Sequence, residues 1–228
     1  MPMLDEHVRA DPRILRVYLE ARRRYGQAGL CHHNFGHVVR DTHRALVIAA
    51  SEKGVDYSVL LPAVLLHDIG FCYPNWPEMG HDLAGARLAQ EMLPALGYLA
   101  FEVAAIQHCI TAHKGKAEAP ASLEAKILYD ADVLEKAGLF DLVILGLLMC
   151  EFSENLADCL ARECRDRAEE TARGFFTAKA REMDRGRLVR VGALLNEMRQ
   201  EVSGPRRDFS LSETDLWREP PKEVLGKS

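Results

Sequence analysis

Two side chains that are costly to bury stand side by side in an apolar run, His67 and Asp68 in LLPAVLLHDIGF. An imidazole and a carboxylate taken out of water need a compensating partner. A metal ion is the usual one, and the chain supplies further ligand types. These are His37 in HHNFGHVVRD, His81 in MGHD, His108 and His113 in IQHCITAHK, and Asp130 and Asp132 in KILYDADVLEKAG. Two imidazoles with two carboxylates make a mixed nitrogen and oxygen set. It suits a divalent transition ion such as Mn, Fe, Co, Ni or Zn, whereas magnesium prefers more oxygen. Four protein ligands leave room for water at a five- or six-coordinate ion, which is the arrangement of a catalytic site.

The elements that must position these groups read as helices, and no run alternates as a strand would. Asp11-Pro12 opens a first helix that ends near Gly26 to Gly29. Asn34 caps a second, which carries His37 and stops before Gly54. Ser58 caps a third, with Leu60, Ala63, Val64 and His67 on one face and Gly70 as its terminator. Residues 71–80, FCYPNWPEMG, read as a loop beside the His67-Asp68 corner. Asp82 caps a helix ending at Pro94, another runs from Phe101 to His113, and Ser122 opens a long one through Leu134. Residues 151–200 are charged but keep apolar residues at helical spacing, and 201–228 read as an extended or disordered tail. The division expected is an N-terminal helix over 1–29, a core over 30–150, C-terminal helices packed on it over 151–200, and the tail.

Within that frame, His67 and Asp68 point about 100° apart and can both lean toward one ion. His37 lies early in its helix, and Asp132 follows Ala125 and Leu128 on its own. His108 and His113 are about 140° apart around a helix, so one of them at most faces the centre. His113, on the stripe of Ile106 and Ile110, is the better candidate, with His108 as the fallback. His33 reads equally as a supporting group or a plain first-turn residue, while His7, His32 and His43 read as exposed. Lys114, Lys116, Arg40 and Arg87 could attract a phosphate, although each is more simply a solvated charge.

Composition narrows the partners. The 228 residues are 48% hydrophobic, enough for a sizeable core. The 29 basic and 34 acidic residues are interspersed, for a net charge of −5, so no nucleic-acid polymer is expected as a partner. No run reaches the ~18 apolar residues of a spanning helix, and the start, MPMLDEHVRADPR, carries charges where a signal peptide needs an apolar stretch. The six cysteines are scattered without a CxxC pair. They read as reduced, mostly packed thiols, and the expected location is the cytoplasm, away from membranes. Oligomeric state is not legible.

Taken in order, HNFGHVVRD, AVLLHDIGF, GHDLAGARLAQEML and LEAKILYDADVLEKAG resemble the HD-domain superfamily of metal-dependent phosphohydrolases over roughly residues 30 to 150. The resemblance implies an all-α helical bundle. It assigns His37, His67, Asp68 and Asp132 as metal ligands, choosing Asp132 over Asp130. It also suggests that His81 and His113 hold a second metal or the substrate phosphate, with two ions about 3.5–4 Å apart if both face inward. The implied reaction is hydrolysis of a small phosphate ester or anhydride, with a nucleotide as the expected substrate. Water would be activated by a metal, Asp68 or Asp132 would orient the attack, and His81 or His113 would protonate the leaving oxygen. Alternatives on the same fold are a di-iron oxygenase using all six residues and a regulatory module that binds metal and nucleotide without turnover. Cys72 stands where HD nucleotidases carry an acidic residue, and no GYP follows His113, so those two branches are disfavoured. Glu135 occupies a position that is often Asp in relatives.

Overall fold

The central helix of the fold is apolar on every side. In the computed structural model, which describes residues 4–73 and 76–203, α4 (Tyr57–Leu66) buries Val59 through Leu66 without interruption. At roughly 1.5–3 kcal/mol per large aliphatic side chain, Leu60, Leu61, Val64, Leu65 and Leu66 together stabilise this placement by the order of 10 kcal/mol. The helix therefore carries its two successors in the chain, His67 and Asp68, into the interior, and both are fully buried.

The helices ahead of it start where their caps dictate. After a short α1 (Leu4–Ala10), α2 (Pro12–Ala28) begins at Asp11, which accepts from the Arg13 N–H at 3.0 Å. It ends at Gly29 in the left-handed conformation, φ 66°. The Asn34 side chain accepts from the N–H groups of Gly36 and His37 (2.8 and 3.3 Å) and opens α3 (Phe35–Ala49). Helix α4 is capped by Asp56, not Ser58: the Asp56 carboxylate accepts from the Ser58 N–H at 2.9 Å. Nor does α4 run to Gly70, because the chain leaves it at His67 and tightens into a 3₁₀ turn over Ile69–Cys72.

The stretch expected to be a loop contains the short α5 (Trp76–Met79). Helix α6 (His81–Met92) starts directly behind Gly80, so Asp82 lies in its first turn and does not cap it. Helix α7 (Ala100–Ala112) ends at His113, and Ser122 caps α8 (Leu123–Lys136) by accepting from the Ala125 N–H at 3.1 Å. Four helices follow: α9 (Phe140–Phe152), α10 (Leu156–Arg173), α11 (Ala178–Asp184) and α12 (Arg187–Ser203). Among the described residues every regular element is helical. Residues 201–203, read as tail, belong to α12, and the rest of that stretch lies outside the described residues.

One apolar core joins α2, α3, α4, α6, α7 and α8. A second, smaller one joins α9, α10 and α12 through Ile144, Leu145, Leu148, Cys159, Leu160, Cys164 and Leu195. Asp130, the aspartate passed over in favour of Asp132, makes a structural tie. It is fully buried and accepts from the N–H groups of Phe176 and Thr177 (2.9 and 2.8 Å) and from the Thr177 hydroxyl (2.7 Å), tying α8 to the start of α11. Among the described residues no helix is long and apolar enough to cross a membrane.

Candidate metal centre

Five elements deliver their side chains to one point beneath the end of α4. His37 Nε2, from α3, lies 3.1 Å from His67 Nε2 and 3.1 Å from Asp68 Oδ2. Asp132 Oδ1, from α8, is 3.9 Å from the same His37 nitrogen. On the other side of Asp68, its Oδ1 faces His113 Nε2 at 3.3 Å and His81 Nε2 at 3.6 Å. Asp68 thus turns one oxygen to each of two histidine pairs. Two clusters result, His37, Asp41, His67 and Asp132 in one and Asp68, His81 and His113 in the other, each with ligand atoms within 4.8 Å of one another.

The imidazoles are oriented as metal ligands are, with one ring nitrogen spent on a fixed acceptor. His67 Nδ1 donates to the Val64 carbonyl (2.8 Å), His113 Nδ1 to the Ile110 carbonyl (2.5 Å), and His37 Nδ1 to Glu135 (3.4 Å). Each of these three contacts occupies Nδ1 and turns Nε2 inward. His81 is held by its ring, stacked on Phe71 with centroids 4.3 Å apart and 7° between planes. Asp41 Oδ2, Asp68 Oδ1, His81 Nε2 and His113 Nε2 are buried and have no hydrogen-bond partner. Three of these atoms face one another across the second cluster and Asp41 Oδ2 faces the first, an expensive arrangement for a folded chain and a favourable one for a cation. The residues present fit a divalent metal.

Electrostatics point the same way. Burial works against a charge on His37, yet Asp41, Asp68 and Glu135 outweigh it and hold its pKa up at about 10. A pocket that draws a proton so strongly offers a cation the same attraction. Burial lowers His81 and His113 below the ordinary histidine value, which keeps these rings neutral. Burial also opposes charge on Asp132, but Lys114 and Lys136 prevail and keep its carboxyl well below the usual range. Both ammonium groups donate to Asp132 Oδ2, at 3.2 and 3.1 Å.

Three acidic groups at this centre were not singled out from sequence as site residues. Asp41 lies one turn after His37, with Oδ2 at 3.3 Å from its Nε2 and 3.7 Å from that of His67. The i, i+4 spacing in HVVRD was the available signal. Glu135, whose role was open, stands behind His37 and accepts from Arg40 Nε at 2.8 Å and from Arg44, so Arg40 is paired and not a free solvated charge. Glu151, from α9, accepts from the backbone N–H groups of His32 and His33 (2.7 and 3.1 Å) and contacts the His33 ring. Those bonds bury His32, which was expected to be exposed. His33 is buried with it, its Nε2 3.9 Å from Asp68 Oδ2. His108 lies apart, bonded to Glu118 and the Ala121 N–H.

A cavity of about 620 Å³ opens from the centre. Asp132, His81, His33 and Lys114 form its floor, Phe71, Trp76 and Phe152 one wall, and α10 side chains such as Arg162 and Arg167 the other.

An all-helical frame in which a histidine, a His-Asp doublet and a distant aspartate converge defines the HD-domain class. Residues 34–137 match the HD domain family model, and this part of the chain is an HD domain. It is similar over 88% of its length, and 99% of the other chain, to a predicted HD superfamily hydrolase from an uncultured Thermotogales bacterium (27% identity, TM-score 0.55). Two further structures share the fold at 16% identity. One is a protein of Lactobacillus plantarum (TM-score 0.67, covering 86% of this chain and 99% of that one). The other is Bacillus subtilis YpgQ, solved in complex with ADP (TM-score 0.56, covering 84% and 98%).

Proposed function

We propose that this protein is a metal-dependent phosphohydrolase acting on a small phosphate ester or anhydride, with a nucleotide as the substrate class. The observation that carries the reading is the trio of orphaned atoms, Asp68 Oδ1, His81 Nε2 and His113 Nε2, buried together where His81 and the neighbouring Asp132 line a cavity large enough for such a ligand. His37, His67, Asp68 and Asp132 would hold one ion, and Asp68, His81 and His113 a second. Such an ion, bound there, supplies Lewis acidity that lowers the pKa of water and neutralises charge on a phosphoryl oxygen.

The chain's own groups divide the remaining work. Lys114, one-fifth exposed and beside Asp132, presents a cation to a phosphate entering the cavity. Phe71 and Trp76 (centroids 4.9 Å apart) and Phe152 (6.0 Å from Phe71) form an aromatic wall on which a planar base can stack. The same fold in YpgQ accommodates ADP. His81 is 19% exposed and His113 is fully enclosed, so His81 is the imidazole placed to return a proton to the leaving oxygen if one ion binds. With two ions it becomes a ligand.

The test is a panel of phosphate esters and nucleotides assayed with Mn, Fe, Co, Ni and Zn. Metal-dependent phosphate release from at least one member is expected, and silence across the whole panel with every ion overturns the reading. The two-faced placement of Asp68 also favours a second reading, a di-iron oxygenase using His37, His67, Asp68, His81, His113 and Asp132. Iron content with substrate-dependent oxygen uptake would select it.

A further inference from the structure

We propose that Cys31 and Cys150 are a reversible dithiol–disulfide pair that staples α9 to the loop ahead of α3. Their sulfurs lie 3.2 Å apart although 119 positions separate them in the chain. Thiols placed only for packing are buried, as Cys109, Cys159 and Cys164 are; Cys150 is exposed and Cys31 half-buried. The backbone on both sides of the pair is already fixed, because Glu151 accepts from the N–H groups of His32 and His33. To bond, the sulfurs need to close from 3.2 Å to about 2.05 Å.

The two cysteines sit between the two apolar cores. Cys150 closes the helix whose Ile144, Leu145 and Leu148 belong to the smaller core, while Cys31 leads into α3 of the larger one. Their neighbours His33, Glu151 and Phe152 line the cavity, whereas the cysteines themselves do not. A bond between the sulfurs therefore fixes one cavity wall without entering the site.

The oxidant is a small disulfide such as glutathione disulfide. The Cys150 thiolate, the more accessible, attacks it, forming a mixed disulfide and expelling one glutathione thiolate. The Cys31 thiolate then attacks the Cys150 sulfur, forming the protein disulfide and expelling the second glutathione. Two protein thiols are oxidised, one disulfide is reduced, and the two protons lost from the cysteines end on the two glutathiones.

The staple is independent of the proposed hydrolysis, and its test reads no activity. The full-length reduced protein is equilibrated in buffers of graded reduced and oxidised glutathione, alkylated, and mapped by mass spectrometry without reduction. A linked pair of peptides holding Cys31 and Cys150, lighter by two hydrogens and released by dithiothreitol, is expected. So is a thermal midpoint raised by roughly 5–10 °C over the reduced form, since the bond closes a long loop. Cys31→Ser and Cys150→Ser should lose both effects while unfolding like the reduced wild type. Glutathione retained on Cys150 alone, a link to Cys72 or to another copy of the chain, or a linked form no more stable than the reduced one would overturn the proposal.

Discussion

A Cβ on Gly70 would stand 1.8 Å from the carbonyl oxygen of His81. The same atom would meet the Gly85 backbone nitrogen at 2.7 Å, so the turn behind Asp68 and the start of α6 lie against each other with no side chain between them. This contact sets His81 Nε2 at 3.6 Å from Asp68 Oδ1. Gly70→Ala must push α6 away. It is expected to cost about 1–3 kcal/mol or more in chemical denaturation and to lower the metal content of the purified protein, because the cluster containing His81 comes apart.

Glu135 holds His37 from behind and is itself held by Arg40 and Arg44. Glu135→Gln keeps the shape and removes the charge that fixes the His37 ring. Metal affinity, measured by competition with a chromophoric chelator, should fall roughly 10- to 100-fold. Unchanged affinity would show that Arg40 and Arg44 alone define what Glu135 does.

Removing the metal should destabilise the fold and not only silence it. Without an ion, the centre leaves Asp41, Asp68, His81 and His113 atoms buried without partners. A ligand at 100 times its Kd stabilises the native state by about 2.7 kcal/mol. The thermal midpoint should therefore drop with chelator and recover with Mn, Co, Ni or Zn. Asp68→Asn, which replaces the carboxylate whose two oxygens face the two histidine pairs, should abolish the recovery.

Much of this was legible in the chain because its signals are local. Asn34, Ser122 and Asp11 cap the helices they precede, and the unbroken apolar run before His67 could only be an interior helix. The order of His37, His67-Asp68, His81, His113 and Asp132 anticipated their meeting. What escaped depends on distant partners. His32 is buried by Glu151, which lies 119 residues away, and Asp130 by a link to Thr177. Asp41 carried one local signal, its i, i+4 spacing from His37, and its role depends on the His67 that α4 places opposite it. Ser58 was read as the cap of α4, and Asp56 two residues earlier takes the position because its carboxylate reaches the free Ser58 N–H. The cysteines were read alike, but the adjacency of Cys31 and Cys150 arises only when α9 docks.

Away from the candidate metal centre, the smaller core has its own titration. Asp141 accepts from Arg167 Nε at 2.9 Å, and Arg167 also meets Glu163 and Glu170, so three carboxylates share one buried guanidinium. Burial, only partly offset by Arg167, raises the Asp141 pKa from 3.8 to about 6. The folded protein then holds a proton there that the unfolded chain releases at lower pH. The stability from this group is complete below the unfolded value and is lost as pH rises through about 6. Asp141→Asn cannot titrate. The free-energy difference between wild type and Asp141→Asn, taken from urea unfolding at about pH 4, 5, 6, 7 and 8, should therefore shift in favour of the variant as pH rises. The shift should be of the order of 1–3 kcal/mol and level off above pH 7. A difference that is flat across this range, or that runs the other way, would mean that Arg167 keeps Asp141 ionised and that burial does not dominate.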